Sequence, residues 1–116
     1  MKADLHNHSY YSDGVLSPTE VIKLASQARC DLFSLTDHDT TDGIAEAQLE
    51  ADKLNLNLVN GVEISALWRN MAIHILGLGI DINNDILQTG LEHNQKLRKE
   101  RAEKIALGLW RSGIKD

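Results

Sequence analysis

Cysteine and long apolar runs are both scarce in this sequence. Cys30 is the single cysteine, which excludes an internal disulfide and any CxxC metal or redox motif. It lies between a predicted helix and a predicted strand, where we expect a small buried thiol. No apolar stretch approaches the roughly 18 residues of a membrane span, and the first residues lack the apolar region of a signal peptide. We therefore expect a cytoplasmic protein without a membrane partner.

An excess of positive charge is absent as well. The net charge of −5 and the pI near 5.4 leave no basic surface that could bind nucleic acid by bulk charge. A phosphate-bearing ligand would therefore need a local source of positive charge. The length of 116 residues allows one domain at most, and the apolar share of 42% is that of a globular protein. The sequence contains no internal repeat, low-complexity tract or linker.

Signals for strands and helices alternate along the chain. Ser17-Pro18-Thr19-Glu20 is a capping box with proline at the first helical position, and Thr41 or Asp42 can cap a second helix. The predicted strands are 3–8, 31–36, 56–62 and a pair at 64–67 and 71–78; the predicted helices are 18–28, 42–54 and 85–111. This order predicts an α/β fold built on parallel strands with right-handed crossovers.

Polar side chains follow the ends of the predicted strands. His6 and His8 lie two residues apart on the first strand, so their imidazoles leave the same face and suit a zinc, manganese or iron ion. The carboxyl ends of parallel strands meet on one rim, where the active sites of such folds lie. The same rim is expected to carry Asp13, Asp37, His38, Glu63 and His74. Histidine and carboxylate without cysteine predict a hydrolytic metal site rather than a structural zinc site.

Some of these residues have a simpler interpretation. Asp39 and Asp42 are expected to be turn and cap residues. Asp37 could do the same, or it could orient a neighbouring imidazole from behind the ligands. His74 could be a core histidine bonded to backbone, although the other candidates favour metal binding. Three further residues are expected to be solvated or structural: His93, Asp4 and Asp81.

Four segments resemble, in order, the successive motifs of the PHP (polymerase and histidinol phosphatase) family. They are DLHNHSYYSDGVLSPTEVI, LTDHDTTDGIAEA, NGVEIS and HILGLGID. The resemblance is strongest to the TrpH-like branch, which contains nucleoside 3',5'-bisphosphate phosphatases and 5'-to-3' exoribonucleases. It implies a distorted seven-stranded (β/α) barrel, a nucleotide or RNA 5' end as substrate, and two or three divalent ions. Manganese is expected, with zinc or iron as alternatives.

The resemblance also implies ligands for each ion. By position these are His6 and His8 for the first, Asp13 and His38 for the second, and Glu63 as a bridge from the first to a third that His74 also binds. Such cations neutralise the charge of a phosphate ester and lower the pKa of bound water. They would also explain how a chain of net charge −5 handles an anionic substrate.

Two arginines could add positive charge. Arg101 interrupts a row of apolar residues, Leu97, Ile105 and Leu109, that is predicted to be buried. Its side chain would either extend to water or enter the site and bind a phosphate. Arg98, one position off this row, is the weaker candidate.

Family domains are considerably longer than this chain. Their pattern ends with a further histidine and a late Asp-x-His pair, and no residue after Asp116 is present here to supply them. The resemblance therefore implies that residues 1–116 are the amino-terminal portion of a single PHP domain. We expect such a portion to be inactive alone and to self-associate through its open sheet edge or to belong to a longer chain.

Two other functions stay open. The chain could be a non-catalytic metal-binding or assembly module derived from a PHP domain. It could also be a metal-dependent amidohydrolase, which likewise begins with HxH on a first barrel strand. The amidohydrolase ranks third, because that family adds a lysine on a middle strand and no lysine follows a strand here.

Overall fold

The computed structural model describes residues 1–111 and 113, which form four strands and three helices. In chain order these are β1 (Ala3–Asp4), α1 (Pro18–Gln27), β2 (Leu32–Leu35), α2 (Ile44–Leu54), β3 (Asn57–Trp68), β4 (Met71–Leu78) and α3 (Asp85–Arg111). The predicted α/β class is confirmed, and α3 has the predicted bounds.

The four strands form one sheet in the order β1-β2-β3-β4. The first three are parallel, whereas β3 and β4 form an antiparallel hairpin. The hairpin turns at Arg69 and Asn70, whose φ angles of 49° and 65° are those of the two-residue turns that match strand twist. The predicted pairing of 64–67 with 71–78 is therefore confirmed.

Regular pairing of β1 stops earlier than predicted, at Asp4 instead of residue 8. The chain nevertheless stays beside β2. The Thr36 N–H donates to the Asn7 carbonyl at 2.7 Å, and the Asn7 N–H donates to Thr36 Oγ1 at 3.1 Å. These bonds hold the segment that carries His6 and His8 against the end of β2.

The third strand is longer than predicted, which changes the place of Glu63. The prediction ended this strand at 62 with Glu63 at its tip, but β3 runs on to Trp68. Glu63 lies inside β3, close to where its pairing changes from β2 to β4. A single parallel bridge between His38 and Glu63 extends the pairing past the end of β2. Glu63 thus still meets the residues that follow β2.

The two shorter helices begin differently. α1 has the predicted cap, since Ser17 Oγ accepts from the Glu20 N–H at 3.2 Å. The predicted cap of α2 is wrong: the residue before the helix is Gly43, without a side-chain cap bond. Thr41 contributes its carbonyl instead, which accepts from the Ile44 N–H at 3.1 Å.

The core lies between the sheet and helices α1 and α2. Phe33 and Leu35 alternate with Ser34 and Thr36 along and just beyond β2, so the apolar pair packs into the core and the polar pair points to the opposite face. The core consists of Val21, Ile22, Ala25, Phe33, Leu35, Ala47, Ala51 and Leu56. The side chain predicted to be a buried thiol, Cys30, is partly buried against this core.

The last helix extends away from this core. Within the described residues of α3, Leu91 alone is buried. The predicted buried row is wrong, because Leu97, Ile105 and Leu109 are 49%, 57% and 45% exposed. The radius of gyration is 16.4 Å, against about 13 Å for a compact domain of this length. Among the described helices, none is both long enough and apolar enough to cross a membrane.

Candidate metal centre

All six residues predicted as ligands meet at the end of β2. His6, His8 and Asp13 come from the segment after β1, and His38 comes from the turn after β2. Glu63 and His74 come from the hairpin, where His74 pairs with Ser65. The predicted convergence is confirmed in its geometry, while the role of these residues as ligands stays a prediction.

Glu63 lies at the centre of the cluster and is only 4% exposed. One carboxylate oxygen, Oε1, contacts Nε2 of His6 and lies 3.0 Å from Nε2 of His8. The other, Oε2, lies 2.6 Å from Nδ1 of His74 and 3.2 Å from Nδ1 of His38. Each of the two oxygens therefore contacts a different pair of imidazoles. A carboxylate that bridges two metal ions requires this arrangement.

The electrostatics of Glu63 follow from this crowding. Burial alone raises the pKa of a carboxyl group. Hydrogen bonds with His6 and His8, the charge of His38 and the bond with His74 outweigh burial and lower the pKa of Glu63 to about 2. Glu63 is therefore ionised and able to offset positive charge at any pH near neutrality.

Asp13 closes a second part of the cluster from the solvent side. Its Oδ1 lies 2.6 Å from Nδ1 of His8, and its Oδ2 lies 3.1 Å from Nε2 of His38. Its side chain is 59% exposed. Burial raises the pKa of Asp13, but the hydrogen bond and charge of His8 and the charge of His38 lower it overall.

These contacts define three overlapping groups of donor atoms, with all atoms of a group within 4.8 Å of one another. The groups are His6-His8-Glu63, His8-Asp13-His38 and His38-Glu63-His74. Neutral imidazole and carboxylate without thiolate suit borderline and hard divalent ions. Nδ1 of His38 is buried without a hydrogen-bond partner among the described residues, although Oε2 of Glu63 is near. An unsatisfied buried nitrogen beside a carboxylate is what a missing cation would explain, so the donor set fits metal binding.

Asp37 supports the centre from behind. It is buried, and its carboxylate accepts from the Ser9 N–H, Ser9 Oγ and Ser12 Oγ at 2.6, 2.7 and 2.7 Å. These bonds hold the loop that carries Asp13. The sequence left two roles open for Asp37, and among the described residues its carboxylate contacts serines rather than an imidazole.

Asp39 and Asp42 both lie in turns, as predicted, but neither caps α2. Asp39 is also fully buried, with a φ of 54° and a carboxylate bonded to residues of β3 and α3. The sequence hides this role, because the partners of its carboxylate lie at least 26 residues away. Asp42 does not cap α2, and it lines a cleft next to the cluster.

That cleft adjoins Asp13 and His38 and has a volume of about 440 Å³. Arg98 lines it, while Arg101 lines a separate groove along α3. Arg101 was predicted to be the better candidate for binding a phosphate, but Arg98 is the arginine that lies beside the cluster. The ranking relied on a buried row of α3 that the structure does not contain. His93 is exposed, as predicted.

Histidine and carboxylate donors on one rim of a largely parallel α/β sheet are the arrangement of a metal-dependent hydrolase. Residues 4–106 match the PHP domain, and the chain belongs to this family. Both the family and the fold expected from the sequence motifs are confirmed.

Several relatives are similar over nearly the whole chain. The "3',5'-nucleoside bisphosphate phosphatase" of Chromobacterium violaceum is 45% identical over 111 residues, covering 96% of this chain and 39% of that protein. The "5'-3' exoribonuclease Rnm" of Escherichia coli is 42% identical over 113 residues, again covering 96% of this chain and 39% of the relative. The chain thus spans well under half the length of these relatives.

Solved structures agree on the fold. One of an amidohydrolase from Chromobacterium violaceum, with bound sulfate and no metal, has a TM-score of 0.93 and 43% identity; the match covers 100% of this chain and 41% of that one. A second, of a protein assigned as a metal-dependent phosphoesterase from Bifidobacterium adolescentis, has a TM-score of 0.89 and 25% identity. That match covers 95% of this chain and 39% of the other.

Proposed function

We propose that the chain is the amino-terminal part of a PHP domain that hydrolyses phosphate esters with divalent metal ions. The main support for the proposal is the buried Glu63 carboxylate, whose two oxygens contact separate pairs of imidazoles. The chain covers 39% of relatives named as a bisphosphate phosphatase and an exoribonuclease, which supports both the activity and the partial length.

Each cation has a candidate set of donors. His6, His8 and Glu63 would hold the first, and Asp13 and His38 the second. Glu63 and His74 would hold the third. We propose manganese, since oxygen and imidazole donors without thiolate suit it, and zinc or iron could use the same set. Bound cations would supply Lewis acidity toward a phosphate and a lowered pKa of bound water.

The protein's own residues would orient the substrate. The cleft beside Asp13 and His38 is open to solvent and lined on one side by Arg98, whose side chain is 48% exposed. A guanidinium there can donate to a phosphate oxygen and complement a charge that the acidic chain otherwise repels. Following the relatives' names, the proposed substrates are nucleotides and RNA 5' ends. Arg101 is exposed in a separate groove away from this cleft, which favours an extension of its side chain to water.

The proposal is tested with the full-length product of the gene and the 116-residue chain in parallel. Both are stripped of metal, reloaded with Mn²⁺, Zn²⁺ or Fe²⁺, and assayed for phosphate release from a nucleoside 3',5'-bisphosphate and from 5'-phosphorylated RNA. We expect metal-dependent turnover in the full-length product and little in the 116-residue chain. Metal binding without turnover on any phosphate ester would instead indicate a non-catalytic module.

A second candidate is amide hydrolysis, favoured by the name of the amidohydrolase structure with a TM-score of 0.93. The same donor set could serve it, since a divalent ion polarises a carbonyl as well as a phosphoryl group. An amide substrate panel in the same assay separates the two functions. Turnover of amides without turnover of phosphate esters would overturn the phosphoesterase proposal.

A further inference from the structure

Asp39 is a buried carboxylate that the proposed metal centre does not use as a ligand. It is 0% exposed and has a φ of 54°, a conformation that aspartate and asparagine tolerate better than most residues. Its carboxylate is held by four bonds. Oδ1 accepts from the Ser65 N–H at 2.8 Å and from Asn94 Nδ2 at 3.0 Å. Oδ2 accepts from Ser65 Oγ at 2.7 Å and from Arg98 Nη2 at 2.9 Å.

These bonds tie the turn after β2 to two separate elements. Ser65 belongs to β3, whereas Asn94 and Arg98 belong to α3. Gln95, also on α3, donates to the Asp39 carbonyl at 2.6 Å. Since α3 buries little else, this network is the main polar attachment of the helix beside the cleft.

The backbone of Asp39 also fixes the neighbouring candidate ligands. Its N–H donates to the Glu63 carbonyl at 2.9 Å, and the Glu63 N–H donates to the Asp37 carbonyl at 3.0 Å. His38 lies between these two bonds and is set opposite Glu63 by them. Its buried Nδ1 consequently lies 3.2 Å from Oε2 of Glu63.

We propose that Asp39 is a positioning residue of the metal centre, holding His38 opposite Glu63 and Arg98 over the cleft. The inference rests on the proposed metal site. Groups behind a ligand fix its orientation, and removing them typically weakens metal affinity about 10- to 100-fold. Arg98 also gains from this arrangement, because a guanidinium held at one end has fewer orientations to lose when it meets a phosphate.

The test is a Co²⁺ titration of the full-length gene product, read by the visible absorption of the bound ion, which reports ligand geometry. Asp39→Asn keeps the size of the side chain and one acceptor oxygen but turns an amide N–H₂ toward Arg98, so the turn that carries His38 loses part of its anchor to β3 and α3. We expect about 10- to 100-fold weaker binding and an altered spectrum. In the double variant Asp39→Asn/Arg98→Gln, the amide N–H₂ at position 39 can donate to the amide oxygen at position 98. We expect this variant to recover most of the Co²⁺ affinity and the wild-type spectrum.

Asp52→Asn, an exposed carboxylate on α2 bonded to Gln48, is the matched control and should bind as wild type does. Lower thermal stability of Asp39→Asn with unchanged Co²⁺ affinity and spectrum would assign it a structural role only and overturn the inference. If Asp39→Asn does not fold, Ser65→Ala and Arg98→Gln carry the test, and two unchanged spectra overturn it equally. If the wild-type protein binds no Co²⁺, the proposed metal centre itself is wrong. This outcome is distinct from a failure of the Asp39 proposal alone, in which the wild-type protein binds Co²⁺ and Asp39→Asn binds it equally well.

Discussion

Glu63 keeps its negative charge in a buried position because imidazoles surround both of its oxygens. A carboxylate can join two cations, whereas a neutral imidazole binds one. Glu63→Gln retains the size of the side chain and removes the charge. In the full-length product we therefore expect it to lower metal content at more than one position and to reduce the proposed phosphatase activity by several orders of magnitude with the fold intact.

Metal analysis and turnover of the purified variant check this expectation. Glu92→Gln, an exposed glutamate on α3, is the control for a general effect of charge removal. Near-normal metal content and turnover in Glu63→Gln would refute the bridging role.

Asp39 makes a prediction for pH. Burial raises the pKa of Asp39, but bonds from Ser65, Asn94 and Arg98 lower it below the ordinary value of 3.8. A carboxyl group with a lowered folded-state pKa contributes stability above its unfolded-state pKa and loses it as the pH falls through the folded-state value. We expect Asp39→Asn to cost about 1.5–3 kcal/mol at pH 7, as hydrogen bonds to charged groups do.

Urea unfolding of the metal-free protein from pH 7 to pH 2 measures this cost. The difference between wild type and Asp39→Asn should stay constant down to about pH 4 and shrink below it. A difference that grows as the pH falls would contradict the assigned direction of the shift.

At the scale of single residues, the sequence predicts a functional role where neighbouring positions along the chain are enough to indicate it. His6 and His8 are recognisable because they share one face of an extended segment, and Asp13 and His38 because they follow strands. Asp39 is not recognisable, because its partners come from β3 and α3 and any exposed turn would carry the same residue. From the sequence alone, an aspartate in an exposed turn and the buried Asp39 cannot be told apart, because the difference lies in contacts with distant elements.

At the scale of elements, the β2–β3 pair depends on a close approach at Gly61. A Cβ added there would lie 2.4 Å from Ser34 Oγ and 2.7 Å from Thr36 Cγ2. Gly61→Ala must therefore move the side chains of Ser34 and Thr36, next to the segment that carries His38, and we expect it to cost about 1–3 kcal/mol.

The matched substitution is Gly90→Ala in α3, where no atom of residues 1–111 and 113 lies within 4 Å of the added Cβ. It should stabilise the chain by up to about 1 kcal/mol, the helix preference of alanine over glycine. Equal midpoints of urea unfolding for the two variants would show that the approach at Gly61 has no energetic weight.

Helices were predicted more accurately than strands for a physical reason. The cap of α1 and the length of α3 follow from local signals, which need no partner. The extents of β1 and β3 depend on where neighbouring strands stop pairing, as the change of partner near Glu63 illustrates. The prediction of the α2 cap was wrong because the helix begins after Gly43, which has no side chain that could form a cap bond.

At the scale of the whole molecule, the sheet leaves an apolar edge uncovered. The outer strand β4 exposes Met71 (57%), Ile75 (49%) and Leu78 (41%). An open edge with apolar side chains pairs readily with a second copy. We expect the 116-residue chain to self-associate as its concentration rises, and Ile75→Lys to weaken the association.

Sedimentation velocity over a range of concentrations measures this. Ile86→Lys removes a more exposed apolar side chain, 85% accessible, from α3 and away from β4, so it should leave the association unchanged. A wild-type chain that stays monomeric at all concentrations would rule out association through this edge.

The arrangement of core and site along the chain has a consequence for biosynthesis. The core cluster between the sheet and helices α1 and α2 lies between positions 21 and 56, and the candidate ligands lie between 6 and 74. A protein leaves the ribosome amino end first, and its early parts can fold before later ones exist. The ligand cluster can therefore assemble on the nascent chain before α3 brings Arg98 to the cleft. We expect ribosome-bound chains that expose residues up to β4 to resist protease over the core already, and uniform digestion of such chains would exclude this order of events.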